Sequence, residues 1–343
     1  MSFFLTEKHL ILFKAAFGNK DQAQQALYKW QTNYQAADLD ASTRALLPLL
    51  VHRFPENIPD FERYRTYYQQ TWLENFIKFS KFQTIVKKLN TAHIPICLLK
   101  GSAMLLYYYK NLGMRPGASD IDILIPQEAL VPAMQILEEC KMRPSSVYKY
   151  SGPQFKKLIL NQDKDILRYH HAINYNTTQM DIDLHWKLSP WLKNTDFLNL
   201  QSCMQTITFS QEKVYLLSLE HHFIHICFHG MNQIASYQKL WWIIDILYLL
   251  NEHPLHIDWQ KVHQLSTIYP IKPYILKIFN EVERINPELL PEEAKKYFQH
   301  HFATLKENLK FKLQRQPLQF IRQCICYYSI FFIHQPTVRQ RFN

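Results

Sequence analysis

The sequence predicts an α+β fold in which a short α/β segment is enclosed by two helical ones. Three observations predict it. Apolar residues recur at three- and four-residue intervals before about residue 90 and again after about 190. Between residues 93 and 188 the pattern changes to short apolar or alternating runs punctuated by Gly and Pro. Only 6 Gly stand beside 20 Tyr and 22 Phe, which favours helices over a turn-rich all-β chain. The expected division is residues 1–90, 91–190 and 191–343.

The elements follow in order. HLILFKAAF, ALLPLLVHRF and WLENFIKFSKFQTIVKKL carry helical periodicity and no evident chemistry, so residues 1–90 read as scaffold. HIPICLLKG is too short for a helix, contains Pro95 and ends at Gly101: a buried strand. SAMLLYYYK reads as a helix opening on Ser102, and NLGMRPGAS as a loop. DIDILIP alternates charged and apolar residues and stops at Pro126: a second strand. QEALVPAMQILEEC reads as a helix, and RYHHAINYN and MDIDLHWKL as a hairpin turning at Thr177–Thr178. Beyond residue 190, VYLLSLEHHFIHICFHGM and YQKLWWIIDILYLLNE show the strongest helical periods of the chain.

Composition bounds the function. The 343 residues are 47% apolar and 20% charged, a globular balance, with no repeat or low-complexity segment. Lys and Arg outnumber Asp and Glu by 39 to 29, which favours a polyanionic partner: a nucleotide, nucleic acid or an anionic membrane face. Cys97, Cys140, Cys203, Cys227, Cys324 and Cys326 form no C-x-x-C pair and read as thiols of a reducing compartment. The N-terminus lacks the pattern of a signal peptide, and the apolar stretch 324–333 is too short to span a bilayer, so a cytoplasmic protein is expected. The basic, aromatic segment around that stretch is expected to pack on the helical region rather than lie on a membrane surface, although peripheral membrane contact suits its composition.

The chemistry concentrates in residues 120–123. Alternation along a strand puts Asp120 and Asp122 on one face and Ile121 and Ile123 on the other. Two carboxylates so placed repel unless a cation lies between them, and a hard divalent cation such as Mg²⁺ suits oxygen donors. Gly101 and Ser102, at a strand-to-helix junction, offer backbone N–H groups and a hydroxyl to a phosphate. Asp181, Asp183 and His185 share one face of a later strand; Asp183, with Asp181 in reserve, is the candidate third carboxylate and general base. Lys100 and Arg115 flank the site as cations for a triphosphate. His221, His225 and His229 recur every four residues, but no H-E-x-x-H occurs and the intervening residues are apolar. That helix is expected to pack, with His229 as its imidazole toward substrate. Asp245, in an apolar helix, needs a partner, and Lys239 and Arg115 are the candidates.

Taken in order, KGSAMLLYYY, RPGASDIDILI and DIDLHW resemble the DNA polymerase β-like nucleotidyltransferase superfamily. Within it, the closer resemblance is to an uncharacterised bacterial nucleotidyltransferase-like family. The carriers are Lys100–Gly101, Arg115, Asp120 with Asp122, and Asp183–Leu184–His185–Trp186; His229, Lys239, Asp245 and Trp259 look like its helical half. The resemblance spans roughly residues 93–265, and the spacer from Ser102 to Asp120 is longer than is usual in the superfamily. It implies a small mixed sheet with flanking helices. It also implies two Mg²⁺ (or Mn²⁺) ions held by Asp120, Asp122 and Asp183, and an NTP, ATP foremost, whose nucleoside monophosphate passes to a hydroxyl acceptor. Lys100, Gly101, Ser102 and Arg115 would hold the nucleotide, with His185, His229 and Lys239 on the substrate side. A protein or small-molecule acceptor is favoured over RNA, because no nucleic-acid-binding module is visible. The alternative is a non-catalytic nucleotide- or partner-binding protein, such as a toxin–antitoxin component.

Overall fold

The computed structural model describes residues 5–34, 44–54, 61–117, 120–146, 150–232, 240–269 and 271–299. Seven strands form one mixed sheet in the order β3-β4-β5-β2-β1-β7-β6. They are β1 (Cys97–Leu98), β2 (Asp120–Leu124), β3 (Arg143–Pro144), β4 (Ala172–Asn176), β5 (Asp181–His185), β6 (Met204–Phe209) and β7 (Glu212–Leu217). The pairs β2–β5 and β1–β7 are parallel, and the others antiparallel. The expected hairpin forms as β4 and β5, and Pro144 falls on the edge strand β3, where a missing N–H is tolerated.

One sheet face is sealed by an apolar layer from three sources. Ile121, Ile123, Ile182 and Leu184 project from the central strands; Phe82, Val86 and Leu89 come from the long helix Phe61–Thr91; Met134 and Leu137 come from the helix Leu130–Glu139. A second core joins the two ends of the chain. Phe13, Trp30 and Leu50 of the N-terminal helices pack in one cluster with Phe223, Ile246, Trp259, Ile275 and Val282 of the C-terminal ones. The Asn286 side-chain amide donates to the Phe17 carbonyl at 3.0 Å within this contact. The two helical ends, distant in sequence, thus make one body beside the sheet.

Two local differences from the sequence reading have clear causes. The helix after β1 begins at Lys100 rather than Ser102, with Leu99 as N-cap, and continues from Met104 to Tyr109 as a π-helical turn. Ser102 is therefore inside the first turn, and its hydroxyl donates back to the Leu99 carbonyl at 2.6 Å. The hairpin β6–β7, within a stretch read as helical, joins through Ser210 and Gln211, both at positive φ (49° and 70°). Such a two-residue turn normally announces itself with Asn-Gly or Asp-Gly, and this one has neither. The segments 324–333 and 317–343 and the residue Lys239 lie outside the described residues. Among the described residues, no helix is long and apolar enough to cross a membrane.

Candidate active site

The parallel register of β2 and β5 assembles the acidic cluster. Asp120 lies opposite Asp181 and Asp122 opposite Asp183, so both Asp-x-Asp pairs project from the same face at the same level. His185, two residues beyond Asp183, returns to that face and is fully buried. From the next strand over, β1 delivers Lys100, whose backbone lies in the left-handed region (φ 45°). Asp122 Oδ1 accepts from Lys100 Nζ at 2.5 Å and from His185 Nε2 at 3.0 Å. A carboxylate only accepts, so His185 Nε2 carries the proton; its Nδ1 has no hydrogen-bond partner among the described residues. Asp183 Oδ2 stands 3.9 Å from the same imidazole nitrogen. Ligand atoms of Asp122, Asp183 and His185 all lie within 4.8 Å of one another.

The carboxylates are not equivalent. Burial opposes the charge on Asp122, yet Lys100, His185 and His229 hold it well below the usual carboxylate range. Burial, then the carboxylates of Asp122 and Asp183, push Asp120 above that range, and Lys100 only partly offsets them. Asp181 is raised by burial and by Asp183, against Lys78. The Asp183 side chain is 25% exposed and that of Asp122 only 4%, so of this pair Asp183 is the one open to an incoming group. The repulsion expected between Asp120 and Asp122 is thus relieved on the Asp122 side by the protein's own cation. A crowded oxygen-donor set with one imidazole fits a hard divalent cation, since more negative charge is gathered than Lys100 neutralises.

A narrow cleft opens beside Asp120. Gly101, Ser102 and Gly117 contribute to its walls, and Asn75, Lys78 and Phe79 of the long N-terminal helix form its far side. Gly101 is required by packing: a Cβ there would lie 2.8 Å from Arg115 Nη1 and 3.1 Å from its Cζ. Arg115 is buried and bound to Asp245, with Nε donating to Oδ1 at 2.6 Å and Nη2 to Oδ2 at 2.8 Å. Its Nη1 donates to the Pro116 carbonyl at 3.1 Å, and Tyr109 adds a hydroxyl to Asp245 Oδ1 at 3.3 Å. Arg115 is therefore the partner of Asp245 among the described residues, and the pair ties the loop ahead of β2 to the helix Trp241–Glu252.

Asn75 and Lys78 were missed by sequence reading. Asn75 is fully buried, and its amide donates to the carbonyls of Leu112 and Arg115 at 2.7 and 2.9 Å, pinning the same loop. Its Oδ1 would stand 2.2 Å from a Cβ on Gly117. The charge of Lys78 acts on Asp120 and Asp181. The available signal was an Asn and a Lys three residues apart beside Phe79 and Phe82 on a helix whose flanks are core. Of the spaced histidines, His225 is buried beside Lys100, His229 and His185, and its pKa falls well below the usual value, first through burial. The rings of His225 and His229 are 6.3 Å apart. Among the described residues, no histidine grouping converges on a metal-sized point other than Asp122, Asp183 and His185.

The family described as "uncharacterised nucleotidyltransferase" matches residues 29–273, more than half of the chain. The chain belongs to this nucleotidyltransferase family. The match takes in the whole acidic cluster, the Gly101–Ser102 junction and the Arg115–Asp245 pair. It also includes the long helix bearing Asn75 and Lys78, which identifies the protein as an enzyme of the nucleotidyltransferase class. Two solved structures are similar to it. The antibiotic-resistance factor ANT(2'')-Ia is 12% identical over 59% of this chain and 96% of that one, with a TM-score of 0.40. An antigenic nucleotidyltransferase-like protein from Paracoccidioides brasiliensis is 16% identical over 57% of this chain and 88% of that one, with a TM-score of 0.32. No curated protein matches the sequence.

Proposed function

We propose that this nucleotidyltransferase moves a nucleoside monophosphate from an NTP, ATP foremost, to a hydroxyl on a protein or small molecule, in a metal-dependent reaction in the cytoplasm. The observation that carries the reading is the β2–β5 register, which sets the carboxylates of Asp120, Asp122 and Asp183 on one face beside the Gly101–Ser102 junction. Asp120, Asp122 and Asp183 would hold Mg²⁺ or Mn²⁺, two ions being typical of such chemistry, and His185, whose Nε2–H donates to Asp122, would orient that carboxylate. When bound, the metal supplies charge stabilisation to the transferring phosphoryl group.

The chain's own groups supply the rest. Gly101 presents backbone to the phosphates at the cleft wall, and Lys78 and Lys100 bring positive charge to the same region. Asp183, more open than Asp122, takes the proton of the acceptor hydroxyl. The acceptor oxygen forms a bond to the α-phosphorus, the bond from that phosphorus to the bridging oxygen breaks, and pyrophosphate leaves with the electron pair. His229, whose charge is felt at Asp122, faces the substrate side. Ser102, whose hydroxyl donates to Leu99 and Asp122 carbonyls, serves by holding the junction in shape. Arg115 serves by fixing the loop that leads into β2, and its contact with Gly101 puts it behind the phosphate-binding backbone.

The test is incubation of the purified protein with Mg²⁺ or Mn²⁺ and each labelled NTP, with and without cell lysate, beside the Asp120→Ala/Asp122→Ala variant. Label on an acceptor only with the intact carboxylates supports transfer and identifies the acceptor class. Folded protein that labels nothing with any NTP overturns the reading.

A further inference from the structure

Lys100 occupies a position with two claimants. Its Nζ lies 2.5 Å from Asp122 Oδ1, and that oxygen also accepts from His185 Nε2 at 3.0 Å. The ammonium is drawn toward Asp183 and Asp120 as well, so it sits within the field of all three carboxylates. Asp122, Asp183 and His185 are the described residues whose ligand atoms converge as a cation would require. The side chain of Lys100 is 13% exposed and that of Asp122 4%, so the pair is largely shielded from solvent. The backbone of Lys100 adopts φ 45°, a conformation that an L-residue other than Asn, Asp or Gly rarely takes. Such strain persists where the surroundings hold it, and here the ion pair to Asp122 is what the side chain gains.

We infer that Lys100 is an exchangeable counter-cation: its ammonium holds Asp122 in the ligand-free enzyme, yields that oxygen when a divalent metal enters, and passes to the nucleotide phosphates. The inference rests on the nucleotidyl-transfer reading and deepens it. The geometry supports it in two ways. A divalent ion bound to Asp122 and an ammonium on the same oxygen repel strongly at so short a distance in a buried site. The displaced ammonium has a destination, because Lys100 directly precedes Gly101 in the cleft where the phosphates are placed. Lys100 is thus a positioning residue that opposes metal binding and favours nucleotide binding. A residue that merely held the fold would favour both.

Opposite signs make the test decisive. Mn²⁺ alone is titrated into wild-type protein, Lys100→Met and Lys100→Arg, with free Mn²⁺ read by electron paramagnetic resonance. Binding of a fluorescent nucleoside triphosphate is measured separately in EDTA. The expected result is Mn²⁺ affinity raised at least tenfold in Lys100→Met and unchanged in Lys100→Arg, with triphosphate affinity lowered at least tenfold in Lys100→Met. A second measurement uses the wild-type chain, in case Lys100→Met does not fold. Acetylation of Lys100 by a small anhydride, read by peptide mass spectrometry, should rise when Mg²⁺ is added and fall again when the triphosphate follows. Equal or weaker Mn²⁺ binding by folded Lys100→Met, or Lys100 acetylation indifferent to Mg²⁺, overturns the exchange while leaving the transfer reading intact. Wild-type protein that binds neither Mn²⁺ nor triphosphate overturns both.

Discussion

Replacing Asp245 with Asn isolates the interaction that joins the helical body to the loop ahead of β2. Asp245 accepts two charge-assisted hydrogen bonds from Arg115, at 2.6 and 2.8 Å, and both side chains are more than nine-tenths buried. Asn is nearly isosteric, so little packing is lost, but the carboxylate charge and one acceptor disappear. The Arg115 guanidinium is then buried without a counter-charge, and removing one partner of such a pair costs about 3–5 kcal/mol. At a urea m-value of about 3 kcal/mol/M, that moves the midpoint down by roughly 1 M or more. Because Arg115 also lies against Gly101, the variant should lose NTP affinity along with stability. The assay is urea unfolding followed by circular dichroism, with fluorescent-nucleotide titration under native conditions. The double variant Arg115→Met/Asp245→Leu, which removes both charges, should recover much of the loss, because paired apolar replacements avoid an orphaned ion. A change below about 1 kcal/mol for Asp245→Asn, or a double variant that loses the sum of both singles, refutes the reasoning.

Three further outcomes follow from the same geometry. Asp120→Asn and Asp122→Asn should both abolish transfer yet move the melting temperature in opposite directions: up for Asp120, whose charge is disfavoured by burial and two carboxylates, and down for Asp122, which pairs with Lys100 and His185. Differential scanning fluorimetry reads both, and a shared sign contradicts the assignment. Gly117→Ala should cost about 1–3 kcal/mol and weaken nucleotide binding, because its Cβ would meet Asn75 Oδ1 at 2.2 Å; an unchanged denaturation midpoint counts against it. Stability should fall as pH drops below 6.5. Burial pushes His170 and His221 down to about 4 and His222 to about 3, while an unfolded imidazole titrates near 6.5, so the unfolded chain binds more protons through this window. Their contribution is complete above pH 6.5 and is lost as pH falls toward 4; for the fully buried His222 the loss at pH 5.5 is about 1.4 kcal/mol. Melting temperatures that do not decline between pH 7 and 5.5 contradict this.

What could be read from the sequence followed from local period. The strand carrying Asp120 and Asp122, the hairpin ending in Asp183 and His185, and the amphipathic helices all announce themselves within a few residues. That Asp245 needs a counter-charge was legible too, from the apolar helix around it, with Arg115 one of two candidates. What escaped depended on contacts between distant segments. Polar residues on a core-flanked helix are the one local signal for Asn75 and Lys78, and it does not say what they face; the packing of their helix on the sheet brings them to Asp120. The bonds that Lys100 and His185 make to Asp122 depend likewise on β1, β2 and β5 lying side by side. Strands β6 and β7 escaped for a different reason, their turn being built on Ser210 and Gln211 without glycine.

The β2–β5 register also bears on how the enzyme comes into being. Neither strand carries a complete site, and the two are separated in sequence by a helix-rich excursion. A slip of one residue would turn Asp183 into the apolar layer and present Ile182 or Leu184 to Asp122. That state loses its core and its acidic cluster together, so the selection that stabilises the fold also discards the inactive alignment. A chain released from the ribosome before residue 181 would lack the second half of the cluster altogether. Active protein and correctly aligned protein are in this sense the same population, and a titration of active sites would also count the correctly folded molecules.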